Sequence, residues 1–247
     1  MTVHLHVEVA GQGPAVLVTH GFSATSAMWE DQVEVLAGDH TVIRWDMRGH
    51  GRSDYPADPA EYSLDLTVQD MVGILDSLDV AKAVLVGHSL GGFASLAFTL
   101  RHPERVSALV LVDTGPGFRN DEARAKWNDY AESTAADLES RGLDALGRSD
   151  EVMMASHRDA AGLALSARRV LVQRDAAVID SLRAIAVPTL VVVGSEDRAF
   201  RSGADYMAAR IPGAELMVVP GAGHAPNLTH PEVFDDSLRR FVDRLGA

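Results

Sequence analysis

Residues 83–98 read AVLVGHSLGGFASLAF, and the middle of this stretch decides the fold. Ala83 to Val86 form a continuous apolar run rich in β-branched side chains, and good helix formers follow Gly92. Between them, Gly87-His88-Ser89-Leu90-Gly91 has the pattern G-x-S-x-G. A serine centred in a strand-to-helix junction of this kind is predicted to sit on a very tight turn in strained dihedrals. The glycines two residues to either side have no Cβ, so strand and helix approach closely without a clash. The strain projects the hydroxyl out of the sheet. The helix behind it aims its free N–H groups, and the positive end of its dipole, at the same spot. An oxyanion formed there would be stabilised, which makes Ser89 a candidate nucleophile.

Outward from this junction, short apolar runs alternate with helix-like segments. The runs are AVLVT (15–19), TVIRW (41–45), AVLVG (83–87), ALVLVD (108–113), TLVVVG (189–194) and ELMVV (215–219). Runs this continuously apolar suit strands covered on both faces, hence a mostly parallel, twisted central sheet flanked by helices. TVHLHVEVA (2–10) alternates polar and apolar residues and reads as an edge strand. Residues 63–80 repeat apolar side chains at Leu66, Met71, Ile74, Leu75 and Leu78, close to helical spacing. Residues 231–245 do the same, opened by Pro231 where a helix can begin. From about Gly117 to Asp180 no strand is predicted, only amphipathic segments. That is far longer than an ordinary connection between a strand and a helix. We therefore expect a core of residues 1–116 and 181–247, with 117–180 inserted as a helical lid.

Composition excludes several functions. The chain has 247 residues, 47% of them hydrophobic, enough for a sizeable core. It has no cysteine, so neither a disulfide framework nor a thiolate metal site is available. The formal charge of −13 opposes nucleic acid as a partner, because phosphates would be repelled. No apolar run approaches the roughly 20 residues of a membrane helix, and no basic stretch followed by an apolar one marks a secretory signal. A cytoplasmic protein without cofactor, membrane or nucleic-acid partner is expected. His4 and His6 share a strand face, but two ligands without a third read as surface residues and not as a metal site. The glycines of residues 7–16 precede a strand instead of following one and read as a turn. The pattern specifies no oligomeric state.

Taken with GHSLGG (87–92), four further segments carry a resemblance over nearly the whole chain. They are THGFSATSAMW (19–29), WDMRGHGRSD (45–54), VPTLVVVGSEDRAF (187–200) and VPGAGHAPNLTHPE (219–232). In order and spacing the chain resembles the α/β-hydrolase superfamily. It is most similar to the compact lidded members: carboxylesterases, enol-lactonases, cofactor-free haloperoxidases and carbon–carbon bond hydrolases. A serine hydroxyl needs a base to take its proton, and the base needs a third group to orient it. The superfamily order of serine, acid and histidine implies Ser89, Asp197 and His224 as the catalytic set. Asp197 is chosen on that pattern, with Glu196 adjacent; Asp113 competes, because some relatives take their acid from that strand end. The resemblance also implies an oxyanion hole made by the backbone N–H groups of Phe22 and Leu90. His20 is expected to hold that loop by a hydrogen bond, His88 to point its ring away from the site, and His230 to begin the last helix. Arg48 and Asp54 are expected to serve structure.

The expected activity is hydrolysis of small to medium carboxylic esters or lactones through an acyl-enzyme. Alternatives are a carbon–carbon bond hydrolase or lyase using the same residues, and a slow-turnover ligand receptor on the same fold. Serine at the junction excludes haloalkane dehalogenases and epoxide hydrolases, which need a carboxylate nucleophile there. For the substrate pocket, Met28 and Phe93 are candidate floor residues beside Phe22. Trp127 and Met153 are candidate ceiling residues, with Tyr130, Met154 and Leu165, although helical spacing makes each of these more often core than pocket. Arg168 and Arg169 read as a solvated helix face more readily than as an anion site.

Overall fold

The computed structural model describes residues 3–245, so Thr2 of the expected edge strand lies outside the described residues. Seven strands form one sheet: β1 (Val7–Ala10), β2 (Ala15–Thr19), β3 (Thr41–Trp45), β4 (Ala83–His88), β5 (Val106–Val112), β6 (Thr189–Gly194) and β7 (Glu215–Val219). Their order is β1-β3-β2-β4-β5-β6-β7. Only β1 runs antiparallel, paired to β3 at the edge; the other pairings are parallel. The helices are α1 (Glu30–Leu36), α2 (Leu64–Ser77), α3 (Leu90–Arg101), α4 (Asp121–Arg141), α5 (Asp150–Met153), α6 (Ala160–Ser166), α7 (Ala177–Ser181), α8 (Arg201–Arg210), α9 (Pro226–Thr229) and α10 (Pro231–Asp243).

The continuously apolar strands have a simple cause. Successive side chains of a strand point to opposite faces, and here both faces are covered. Leu17, Leu85, Leu109, Leu111 and Val191 pack on one side with Met71, Ile74 and Leu75 of α2 and Leu96 and Phe98 of α3. Val16, Val18, Val84, Val86, Val110 and Val192 pack on the other with Leu36 of α1 and Phe234, Leu238 and Phe241 of α10. Helix α2 is shorter than its apolar pattern suggests. It ends at Ser77, so Leu78 is left exposed, and Val68 is buried in its place.

Between β5 and β6 the described chain forms only helices. A separate small cluster of Ala135 and Leu138 from α4 with Leu163, Ala164 and Ala167 holds this insertion together. Helix α6 continues into a π turn over Ala167–Leu171. No helix of the described residues is long and apolar enough to cross a membrane.

The register of the sheet sets where its loops converge. Thr19 lies beside Gly87, His88 beside Val112, Val112 beside Val192, and Gly194 beside Val219. The carboxyl ends of five parallel strands are thus level. The loops that leave them meet at one edge, where open parallel sheets bind their ligands.

Candidate active site

Ser89 joins β4 to α3 with φ 50 and ψ −114, a left-handed conformation that a residue with a Cβ rarely adopts. The neighbouring glycines permit it. A Cβ on Gly87 would fall 2.4 Å from the Gly91 carbonyl oxygen, and one on Gly91 would fall 2.3 Å from that of Thr19. The Ser89 N–H donates to the Val112 carbonyl at 2.9 Å, and the Thr114 hydroxyl donates to the Ser89 carbonyl at 2.6 Å. Both ends of the peptide are therefore pinned. A serine before a helix ordinarily caps it with its hydroxyl. Ser89 does not, so its oxygen stays free at a half-buried position.

His224 follows β7, and its Nδ1–H donates to Asp197 Oδ2 at 2.6 Å. That bond leaves Nε2 as the acceptor nitrogen. Asp197 is buried and also accepts from the Ala199 and Phe200 N–H groups. Burial pushes its carboxyl up. The hydrogen bond and charge of His224 outweigh that effect and hold it below the usual carboxylate range. Glu196 is exposed, and among the described residues no hydrogen bond joins it to His224. The Phe200 ring stacks on His224 at 4.9 Å between centroids. No hydrogen bond joins Ser89 Oγ to His224 among the described residues; such bonds are often long without substrate and tighten when it binds.

His88 departs from expectation. Its Nε2–H donates to the His224 carbonyl at 2.7 Å, and the two rings lie 4.7 Å apart. The elbow histidine thus reaches across to the backbone of the histidine loop. Burial, followed by the neighbouring His224, lowers its pKa to about 3 and keeps it neutral. His20 Nδ1–H donates to the Gly21 carbonyl, and its Nε2 accepts from the Met47 N–H at 2.9 Å, tying the loop after β2 to the loop after β3. A Cβ on Gly21 would fall 3.2 Å from that of Ser89, so this loop lies against the elbow. The Phe22 and Leu90 N–H groups have no protein partner among the described residues.

A cavity of about 140 Å³ opens beside Ser89. Phe93, Trp127, Leu171, Gln173 and Phe200 contribute to its walls. Of the four pocket candidates, Phe93 and Trp127 line it and the other two do not. Met28 is buried between the sheet and α10, because its face of the turn looks into the opposite layer. Met153 lies on the short helix α5 and is 66% exposed. Tyr130 and Met154 are likewise exposed, and Arg168 is spent on Glu132 and Glu139. Arg48 grips Asp70 of α2 with two hydrogen bonds, and Asp54 bonds the backbone of His4, both structural. His230 precedes α10. Sequence reasoning missed Phe200, Leu171 and Gln173. The only signal for Phe200 was an aromatic three residues after the acid; the other two are placed by the folding of the insertion.

The profile of the alpha/beta hydrolase family matches residues 15–236. A protein provisionally named carbamate hydrolase, from Caulobacter segnis, is 32% identical over 95% of this chain and 93% of its own length. One provisionally named 2-succinyl-6-hydroxy-2,4-cyclohexadiene-1-carboxylate synthase, from Bacillus subtilis, is 29% identical over 95% and 93%. The structure of a thermophilic esterase from Thermogutta terrifontis superposes with a TM-score of 0.84 at 28% identity, covering 99% of this chain and 95% of that one.

Proposed function

The chain belongs to the alpha/beta hydrolase family, and from that premise we propose that it is a serine hydrolase of small to medium carboxylic esters or lactones. The observation that carries this reading is the 2.6 Å bond from His224 to Asp197 at the same sheet edge as the strained Ser89. Ser89 Oγ attacks the substrate carbonyl while its proton passes to His224 Nε2. The oxyanion rests on the N–H groups of Phe22 and Leu90. His224 returns the proton to the leaving alkoxide, the alcohol departs, and an acyl-serine remains. Water then attacks the acyl group, giving its proton to His224, and the acid leaves as Ser89 recovers its hydrogen. Asp197 stays ionised throughout and stabilises the imidazolium. The inserted helices serve as a lid that keeps bulk water from the acyl pocket.

The cavity of about 140 Å³ is near the size that holds a benzene-like ligand in an apolar site. This supports short acyl groups over long lipid chains. The likeness to an esterase supports an ester as substrate, and the carbamate-hydrolase name supports attack on a related carbonyl. The synthase name favours a second reading, carbon–carbon bond cleavage or lyase chemistry with the same three residues. Replacing Ser89 by alanine should leave the thermal transition intact and lower turnover of p-nitrophenyl acetate by about 10⁴-fold or more. A fluorophosphonate should label the peptide that contains residue 89. Retention of a tenth of the activity, or labelling elsewhere, would sink the assignment. Rates on acetate, butyrate and laurate esters measure the acyl preference, and vinylogous diketones test the second reading.

A further inference from the structure

The site contains a second buried acid that the mechanism leaves without a task. Asp113 directly follows β5 and is fully buried, at φ 42, another left-handed residue with a Cβ. Its Oδ1 accepts from the Gly194 N–H at 2.9 Å. Its Oδ2 is buried with no hydrogen-bond partner among the described residues. A carboxylate oxygen of Asp113, one of Asp197 and a ring nitrogen of His224 all lie within 4.8 Å of one another. Asp197 has already used its oxygens on His224, Ala199 and Phe200. The titratable groups facing Asp113 are Asp197 from the loop after β6, His224 from the loop after β7 and Glu151 from α5. Among the described residues, neither lysine nor arginine hydrogen-bonds to Asp113.

Two carboxylates this close in a buried setting do not both ionise, since each raises the cost of charging the other. An oxygen without a donor is anomalous for a carboxylate but natural for a carboxylic acid, which has its own O–H to give. Resting on the catalytic roles of Ser89, His224 and Asp197, we propose that Asp113 is a positioning residue: a neutral carboxylic acid whose Oδ2–H donates to the Asp197 carboxylate and holds it on His224. The electrostatics agree. Burial first, then the Asp197 charge and that of Glu151, push the Asp113 carboxyl up to about 9, while Asp197 is held low. Of the two acids at this edge, one carries the charge and the other steers it.

Asp113→Asn and Asp113→Leu separate the proposal from a merely structural role. An asparagine amide donates to Asp197 and accepts from Gly194, as a protonated Asp113 would; leucine does neither. Asp113→Asn should keep kcat on p-nitrophenyl acetate at neutral pH within about threefold, and Asp113→Leu should lower kcat by about 10- to 100-fold with KM little changed. The wild type should lose kcat as pH rises through about 9, where Asp113 ionises against Asp197, and Asp113→Asn should lack that limb. A second measurement needs no activity and can be made on the Ser89→Ala background. Asparagine needs no proton to stay neutral, so the Tm advantage of Asp113→Asn should grow as pH rises from about 5 to about 9. If the enzyme turns over no ester, the melting series still reads the protonation of Asp113, so failure of the catalytic reading is distinguishable from failure of this one. A pH-independent Tm difference, an alkaline limb unchanged in Asp113→Asn, or Asp113→Asn as impaired as Asp113→Leu would overturn the proposal.

Discussion

Gly91 and Asp197 set the limits of tolerance at the site, one by volume and the other by proton geometry. A methyl group on Gly91 would meet the backbone oxygens of Thr19 and His20 at 2.3 and 2.6 Å. Backbone on both sides leaves nothing to rotate away. Gly91→Ala should therefore destabilise the protein by about 1–3 kcal/mol, as overpacking does, and displace the elbow. Urea unfolding measures the first effect and fluorophosphonate labelling rate the second. Asp197→Asn keeps the volume but offers an amide N–H where a carboxylate oxygen received one. The ring of His224 then favours the tautomer whose Nε2 carries the proton, which cannot take another from Ser89. The expected loss is about 10³- to 10⁴-fold in kcat, with Tm close to the wild type. A loss under tenfold would return the role of acid to another residue.

At the scale of elements, the insertion packs onto the main core through Ala131, Val170, Leu171 and Val178, while polar groups fix its internal path and its contact with the loops after β2 and β3. Trp127 Nε1–H of α4 donates to the Leu171 carbonyl at 2.8 Å, and Asn128 exchanges two hydrogen bonds with the Gln173 backbone. These bonds fix the exit from the π turn, and with it the cavity walls. His157, between α5 and α6, accepts from the Gly51 N–H at 3.2 Å and donates from Nε2 to the Ser23 carbonyl at 3.0 Å. Ser23 adjoins Phe22, so the insertion supports the loop expected to bind the oxyanion. His157→Phe leaves both backbone groups unpaired, at about 1–3 kcal/mol each. It should lower kcat by about tenfold while KM changes less, because the loss falls on a contact made to the transition state. A rise in KM alone would place His157 in substrate access instead.

For the molecule as a whole, three buried histidines and the half-buried His157 make stability dependent on acid. Burial lowers His20 to about 4 and His88 to about 3, and depresses His50 and His157 in the same direction. A free histidine titrates near 6.5. Below that value the unfolded chain binds protons that the folded chain refuses, so stability is complete above about pH 6.5 and falls with pH. Asp113 acts with the opposite sign. Its folded value is raised to about 9, so its contribution is complete below the ordinary carboxylate value and is lost as pH rises. Tm should decline between about pH 6.5 and 5, before most carboxylates titrate. A flat Tm across that window would contradict the buried neutral histidines.

Several features were legible in the residues themselves because they depend on local chemistry. Gly87 and Gly91 around Ser89 announce a backbone that only a strand meeting a helix requires, and the unbroken valines and leucines of β2, β4, β5 and β6 announce a sheet covered on both faces. The missing strands between β5 and β6 announce the insertion. Tertiary structure alone decided the rest. Met28 and Met153 have the chemistry of a pocket lining, yet one faces the far side of the sheet and the other faces solvent. Which face a side chain takes in an irregular segment depends on packing partners remote in sequence. The same holds for the two acids. Asp113 and Asp197 are equivalent as residues, and only the fold determines that the proton of His224 points at one while the other lies buried behind it. Sequence set the kinds of chemistry available; the low-dielectric interior, which makes the ionisation of each group depend on its neighbours, assigned the parts.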